Sequence, residues 1–444
     1  MKYVMSKRQM RKLLRVKRLA VVLGVLTVGA LALAGALATT RGTPVSTVVA
    51  VGAANGPPRV TDSLFARTME LYTGLHLTKG NAVEQVNNGA VYPRLWSDLR
   101  NAQHTITVQM YYARPGAVAD SMASILKAKA RSGVRVLIVL DAFGSQSLKR
   151  AWADSLRAAG VEVGLLRQLH WNTLQNATER SHVRVVVVDG EVAYTGGFGM
   201  ADYWLGDGAH RDQWRESNVR FEGPSVMNLQ GAFAAAWAEC TGELIAGDTF
   251  FPKKAFEAVD GGVEAGVLFT SPTTGSTPAE RFVALSIASA RRTLWVTNSY
   301  FVPDDDFRRL LIAARARGVD VRILTVGRET DVKTTWWAGR SRYEELLSHG
   351  VRIYEYQPAM IHSKTFIVDG MWGSIGSMNF DNRSLAFNNE SVFVFLNGDV
   401  GAHMNATFLD DLSRSEEITL ATFTRRPWYD RVIEGGATLL SRLL

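Results

Sequence analysis

The chain has one cysteine, Cys240, in 444 residues. No intrachain disulfide can form, and a lone thiol serves more often as a small core residue than as a nucleophile. Acidic residues are missing from positions 1–18, which hold eight cations: Lys2, Lys7, Arg8, Arg11, Lys12, Arg15, Lys17 and Arg18. Charge of either sign is missing from 19–38. Net charge is missing from the remainder, where the 42 cations beyond position 18 match 42 acids. The formal charge of +8 is therefore a property of one short flank. A body without net charge exerts no bulk attraction on polyanions, so nucleic acid is not expected as a partner.

What is present starts with the uncharged run. Its twenty residues suffice to cross a bilayer once. The cationic flank at 1–18 is expected to stay cytoplasmic, which puts the body on the other side of a bacterial cell membrane. Ala36-Leu37-Ala38 has the small-x-small form of a cleavage site. The apolar run at 19–38 exceeds the usual ~7–15 residue signal core, so an uncleaved anchor is expected. Residues 39–60, rich in Gly, Pro and small side chains, read as a linker. The rest is too long for one typical core, and two domains are expected, over 61–247 and 262–444.

Both stretches read alike. In the first, strand 105–112 precedes helix 120–132, which Gly133 stops, and strand 134–140; a further strand ends at Leu166. In the second, strand 293–301 precedes helix 307–317, Gly318 and strand 319–326, and 346–351 matches 156–161. This alternation gives an α/β class, with two tandem domains of one design.

Chemistry concentrates in 362–390. Thr365, Phe366, Ile367 and Val368 read as a buried strand, whose period of two puts His362 and Lys364 on one face. Asp369-Gly370 is a hairpin signal. Gly376 and Ser377 can bring backbone N–H and a hydroxyl to an anion, and Asn379 adds a side-chain donor. The same spacing occurs 180 residues earlier as His182, Arg184, Asp189, Gly196 and Gly197. A single H-x-K-x-x-x-x-D string is weak; two, each followed at one offset by glycines, are specific.

On these residues the chain resembles the phospholipase D superfamily, and within it the bacterial cardiolipin synthases. The second half carries their G-S-x-N-x-D-x-R-S string as Gly376 to Ser384 and their N-x-E string as Asn388-Asn389-Glu390. The resemblance implies that two phospholipase D-like domains face each other across a pseudo-twofold axis and share one site. A histidine attacks a phosphodiester to form a phosphohistidine, and a second histidine acts as general acid and then base. The resemblance gives attack to His182 and proton transfer to His362; the intact second motif leaves the reverse open. Lys364 and Arg184 meet the phosphoryl charge, with Gly196, Gly197, Ser377 and Asn379 in support. No metal or other cofactor is called for. Glu216 and Glu390 are implied to orient the histidines, although Glu216 also fits a solvated acid at a strand edge. Asp189 and Asp369, catalytic by motif, fall at the wrong parity for the histidine face and read better as turn residues.

Two positions depart from the family pattern. Arg184 replaces a lysine, giving a planar fork for a compact ammonium. Gly199 replaces an asparagine, removing a donor. Three functions follow. The first is a membrane-bound phosphatidyltransferase using phosphatidylglycerol. The second is a hydrolase, either a phospholipase D or a nuclease. The third is a lipid-binding protein without catalysis. Two retained histidines speak against the third, and the neutral body against the nuclease. The acceptor, water or an alcohol, and the oligomeric state stay open. His170, His349 and His403 lack partners at a recognisable spacing. Trp171, Tyr203, Trp204 and the Trp336-Trp337 pair fit either core or a lipid interface, and the tail from Trp428 to Leu444 resembles the family's C-terminus.

Overall fold

Runs of Val, Ile and Leu alternate with amphipathic stretches in each half, and they form strands and helices accordingly. The computed structural model describes residues 7–40, 45–49, 56–168, 179–273 and 275–438. In spatial order the first half's strands are Glu162–Leu166, Arg135–Asp141, Thr105–Met110, Val185–Val188, Val192–Gly196, Ser217–Glu222 and Thr78–Asn87. The second half repeats that order with Arg352–Tyr356, Asp320–Val326, Thr293–Asn298, Lys364–Val368, Trp372–Gly376, Asn388–Leu396 and Val263–Thr270, and adds Ser415–Ile418 at its edge. Thr78–Asn87 and Val263–Thr270 pair antiparallel at the centre. The two halves are thus related as the α/β duplication requires.

The motif strands are buried on both faces, which is why they read as unbroken apolar runs. Val186 and Val188 join a core made mostly of first-half residues that also takes in Leu324, Val326, Tyr354 and Met360 of the second half. Val185 and Val187 join Ile367, Ile375, Phe393 and Phe395 in a core shared by both halves. Phe221 and Phe393 meet there with ring centroids 4.6 Å apart. Helix Asp305–Ala316 shows the outer layer's logic: Phe307, Leu310, Leu311 and Ala314 are buried at helical spacing. The Asp304 carboxylate accepts the N–H groups of Asp306 and Phe307 to start it. Helix Pro278–Ser289 opens on a capping box between Thr277 and Glu280, with Pro278 in its first turn.

Two boundaries differ from expectation. Helix Ser63–Thr73, expected in the first domain, packs on the second: Phe65, Met69 and Leu75 share a core with Phe282 and Trp372. The expected linker is also partly docked there, with Val60 buried and Val45 and Val48 packed against the same core. The alternation of Phe65, Met69 and Leu75 marks an apolar face but not the half it will find. The apolar run lies in a single helix, Lys7–Thr40, in which Leu14–Ala34 is long and apolar enough to cross a membrane.

Candidate active site

Two short parallel ladders tie the halves together. Arg180–Ser181 runs beside Asn388–Asn389, and Met360–Ile361 beside Trp214–Arg215. Each ladder ends at a histidine. The His182 N–H donates to the Asn389 carbonyl at 2.9 Å, and the His362 N–H to the Arg215 carbonyl at 2.7 Å. The residue after each acceptor is a glutamate. Each histidine therefore meets the other half's carboxylate: His182 Nδ1 lies 2.9 Å from Glu390 Oε2, and His362 Nδ1 lies 2.6 Å from Glu216 Oε2. Both carboxylates have no exposed surface, which removes the solvated reading of Glu216. With Nδ1 committed to a carboxylate, ring chemistry falls to Nε2.

Burial dominates the electrostatics. It holds both imidazoles well below their ordinary value, assisted by the charges of Arg184 and Lys364. It pushes Glu216 up and Glu390 up to about 8. Within each pair both partners are driven towards neutrality, so the proton between them titrates as a property of the pair. Lys364, fully buried, is pushed down to about 7 by the same desolvation, although Glu216 opposes it. Its ammonium donates to the Ser299 hydroxyl at 3.0 Å and to the His362 carbonyl. Arg184 repeats the second contact, Nη1 donating to the His182 carbonyl at 2.6 Å. Where Lys364 has Ser299, Arg184 has the Tyr111 ring, 5.7 Å from its guanidinium carbon.

The first motif's departures have a structural cause. The Ser377 hydroxyl donates to Glu390. At the matching position is Gly197, and a Cβ there would overlap the Glu216 carboxylate. Glu216 takes its donor instead from the Trp204 indole, at 3.1 Å. The same indole accounts for Gly199, where a Cβ would lie 2.8 Å from the Trp204 ring. Trp204 thus gives Glu216 the donor that Ser377 gives Glu390, and its ring fills the space a side chain at position 199 would need.

A cavity of about 270 Å³ opens at the histidines. Of the expected residues, His182, Arg184, His362 and Asn379 line it. Lys364 lies just behind the lining, its ammonium bonded to the His362 carbonyl and 5.9 Å from the Tyr300 ring. Gly196, Gly197, Gly376 and Ser377 lie behind, where they let the glutamate strands approach. Asp189 and Asp369 are elsewhere. Each occupies a hairpin turn with φ of 52°. Asp189 accepts the N–H groups of Gln103, His104 and Thr105. Asp369 accepts those of Arg291, Arg292 and Thr293. The seven-residue spacing is one strand's length, roughly 20 Å, so the aspartate fastens the end remote from the histidine.

Sequence reasoning missed most of the cavity wall. Tyr111 packs edge-on against His182 at 4.8 Å, and Trp214 lies 5.0 Å from His362. Tyr300 donates to Asp331 at 2.8 Å. Tyr111 and Tyr112 directly follow strand Thr105–Met110 and Tyr300 lies two residues past strand Thr293–Asn298, at the strand ends where α/β sheets place their sites; that position was the available signal. Trp204 is buried in the site, and Tyr203 stacks on Trp214 at 5.1 Å. Trp336 is core, donating to Glu355. His349 and His403 are exposed, and His170, Trp171 and the last six residues lie outside the described residues.

The family model described as "Cardiolipin synthase, PLD-like domain" matches residues 95–237 and 284–412. A cardiolipin synthase of Geobacillus kaustophilus is 34% identical over 81% of this chain and 71% of its own length. One of Alkalihalophilus pseudofirmus is 33% identical over 80% of this chain and 70% of its own. A crystal structure of phosphatidylserine synthase from Haemophilus influenzae shares the fold, with a TM-score of 0.63 at 12% identity, covering 85% of this chain and 99% of that one. Paired histidines, duplicated sheets and these likenesses agree: the chain belongs to the cardiolipin synthase family of phospholipase D-like enzymes.

Proposed function

We propose that the protein makes cardiolipin by phosphatidyl transfer from one phosphatidylglycerol to another through a phosphohistidine. The observation that carries this is the pair of buried histidines, each oriented by the opposite half's glutamate, at one cavity. One Nε2 attacks the phosphorus while the other ring protonates the departing glycerol oxygen. The second ring then takes the proton of the incoming hydroxyl. Arg184 and Lys364 offset charge on the phosphoryl oxygens, and Asn379 adds a donor. The helix Lys7–Thr40 supports membrane anchoring with the body on the non-cytoplasmic side, and protease protection of the body in right-side-out vesicles would contradict that orientation.

The test is product analysis. Detergent-solubilised protein with labelled phosphatidylglycerol is expected to yield cardiolipin and free glycerol. Phosphatidic acid alone would make water the acceptor and the protein a phospholipase D. EDTA is expected to leave the rate unchanged, because side-chain cations carry the electrostatic role. His182→Ala and His362→Ala are each expected to abolish turnover in a folded protein.

A further inference from the structure

The two histidines face unlike walls. Around His362 the cavity is aromatic, with Trp204, Trp214 and Tyr300 within 5.0 to 6.3 Å of its ring. Around His182, beside the Tyr111 ring, it is polar: Arg180 stands two residues before the histidine, the charge of Arg383 acts on it, Asn388 donates to its partner Glu390, and Asn379 and Asp381 belong to the same cavity lining. A halves-related symmetry would repeat these groups, and it does not. The positions 180 before Asp381 and Arg383 are Ala201 and Tyr203.

The polar wall contains two kinds of recognition group. Arg180 is 6% exposed, and its guanidinium carbon sits 5.1 Å from the Phe143 ring. Arg383 is half-buried on the same wall. Burial and the charge of Arg383 push Arg180 down while Asp141 opposes them, and a phosphate between the two guanidiniums would ease their repulsion. Asn379 and Asn388 are more than nine-tenths buried, and their side-chain oxygens have no hydrogen-bond partner among the described residues. A buried amide oxygen left without a donor costs about 1–3 kcal/mol, which an entering hydroxyl removes. An anion site beside hydroxyl acceptors fits a phosphate joined to a polyol.

We infer that Arg180, Arg383, Asn379 and Asn388 form a second headgroup subsite on the His182 side of the cavity, which holds the phosphoglycerol group of the acceptor phospholipid. This rests on the transferase reading. In cardiolipin a glycerol bridge separates the two phosphorus atoms, so the acceptor's own phosphate lies beyond the reacting one, along a wall. The arginines hold that phosphate and the asparagines the glycerol hydroxyls. The placement also orders the steps, because acceptor and nucleophile approach phosphorus from opposite faces. His362 Nε2 forms the N–P bond as the P–O bond to the first glycerol breaks, and His182 gives that oxygen its proton. The acceptor hydroxyl then gives its proton to His182 and forms the new P–O bond as the N–P bond breaks. Two phosphatidylglycerols become cardiolipin and glycerol, with no change in oxidation state.

Free glycerol as acceptor needs the phosphohistidine but no second phosphate, so exchange of labelled glycerol into phosphatidylglycerol is the internal control. Arg180→Gln and Arg383→Gln are each expected to lower the ratio of cardiolipin formed to glycerol exchanged by roughly tenfold, the weight of a charged hydrogen bond. Arg383→Lys is expected to restore part of it. An unchanged ratio, including a parallel loss of both reactions, would overturn the subsite. Peptide mapping of the quenched wild-type enzyme, kept at neutral to alkaline pH because the N–P bond is acid-labile, gives a readout independent of variant folding. Phosphate on His362 is expected, and phosphate on His182 would overturn the placement. Hydrolysis alone, with neither transfer reaction, would instead sink the transferase reading and the subsite with it.

Discussion

Lys364 is the side chain whose charge the site can least take for granted. Burial pushes it down to about 7, so its ammonium is complete below that pH and is lost as pH rises through it. If that ammonium offsets phosphoryl charge, kcat/KM falls on the alkaline side with an apparent pKa near 7. Lys364→Arg keeps the charge at all working pH, and the first half already shows an arginine making the same contact to its histidine carbonyl. The variant's alkaline limb is expected to move upward in a pH–rate profile. A limb that stays in place would belong to the histidine–glutamate pairs. Gly199 gives a second test at this scale. Restoring the family's asparagine there looks like repair, but its Cβ would lie 2.8 Å from the Trp204 ring. Gly199→Asn is expected to destabilise by about 1–3 kcal/mol in denaturant unfolding and to lower turnover, since Trp204 would be displaced from Glu216.

At the scale of elements, the H-x-K-x-x-x-x-D spacing describes a strand with a site at one end and a fastener at the other. Asp369 gathers three backbone N–H groups at the far end of Lys364–Val368. Asp369→Ala is expected to cost about 2–3 kcal/mol of stability, the worth of charge-assisted bonds left unmade. It should leave the pH–rate profile of the folded fraction unchanged. A shifted profile with native stability would return Asp369 to the catalytic role its motif suggests. Parity made this legible in the sequence, as the turn chemistry of Asp369-Gly370 did for the hairpin. Strand and helix order were legible too, because each element's periodicity is local. The crossed pairing of His182 with Glu390 and His362 with Glu216 was not, since partners 208 and 146 positions apart meet only when the halves dock. The aromatic wall was hidden for a related reason: Trp204 and Trp214 look like core until their neighbour is a histidine of the other half.

The crossed pairs make the two halves one enzyme. Neither histidine pairs with a carboxylate of its own half, so under the proposed mechanism the halves must dock before any turnover. Docking rests on the shared core around Phe221 and Phe393 and on the buried Arg215–Asp411 pair across the halves, at 2.8 Å. The chain between membrane and body takes part in that assembly. Val45, Val48 and Val60 lean on the second half's core, and helix Ser63–Thr73 buries Phe65 and Met69 in it completely. A truncation series can therefore separate anchor from scaffold. Removing residues 1–40 is expected to release a body that stays soluble without detergent, unfolds like the full chain and keeps its cavity. Extending the deletion through residue 74 removes two fully buried side chains, each worth about 2–5 kcal/mol, and opens the surface of Phe282 and Trp372. That variant is expected to lose its cooperative unfolding transition and all turnover. Native unfolding in the longer deletion would return residues 45–74 to the status of a tether. Sedimentation of the shorter one as an integral membrane protein would mean that a second segment of the body holds the bilayer.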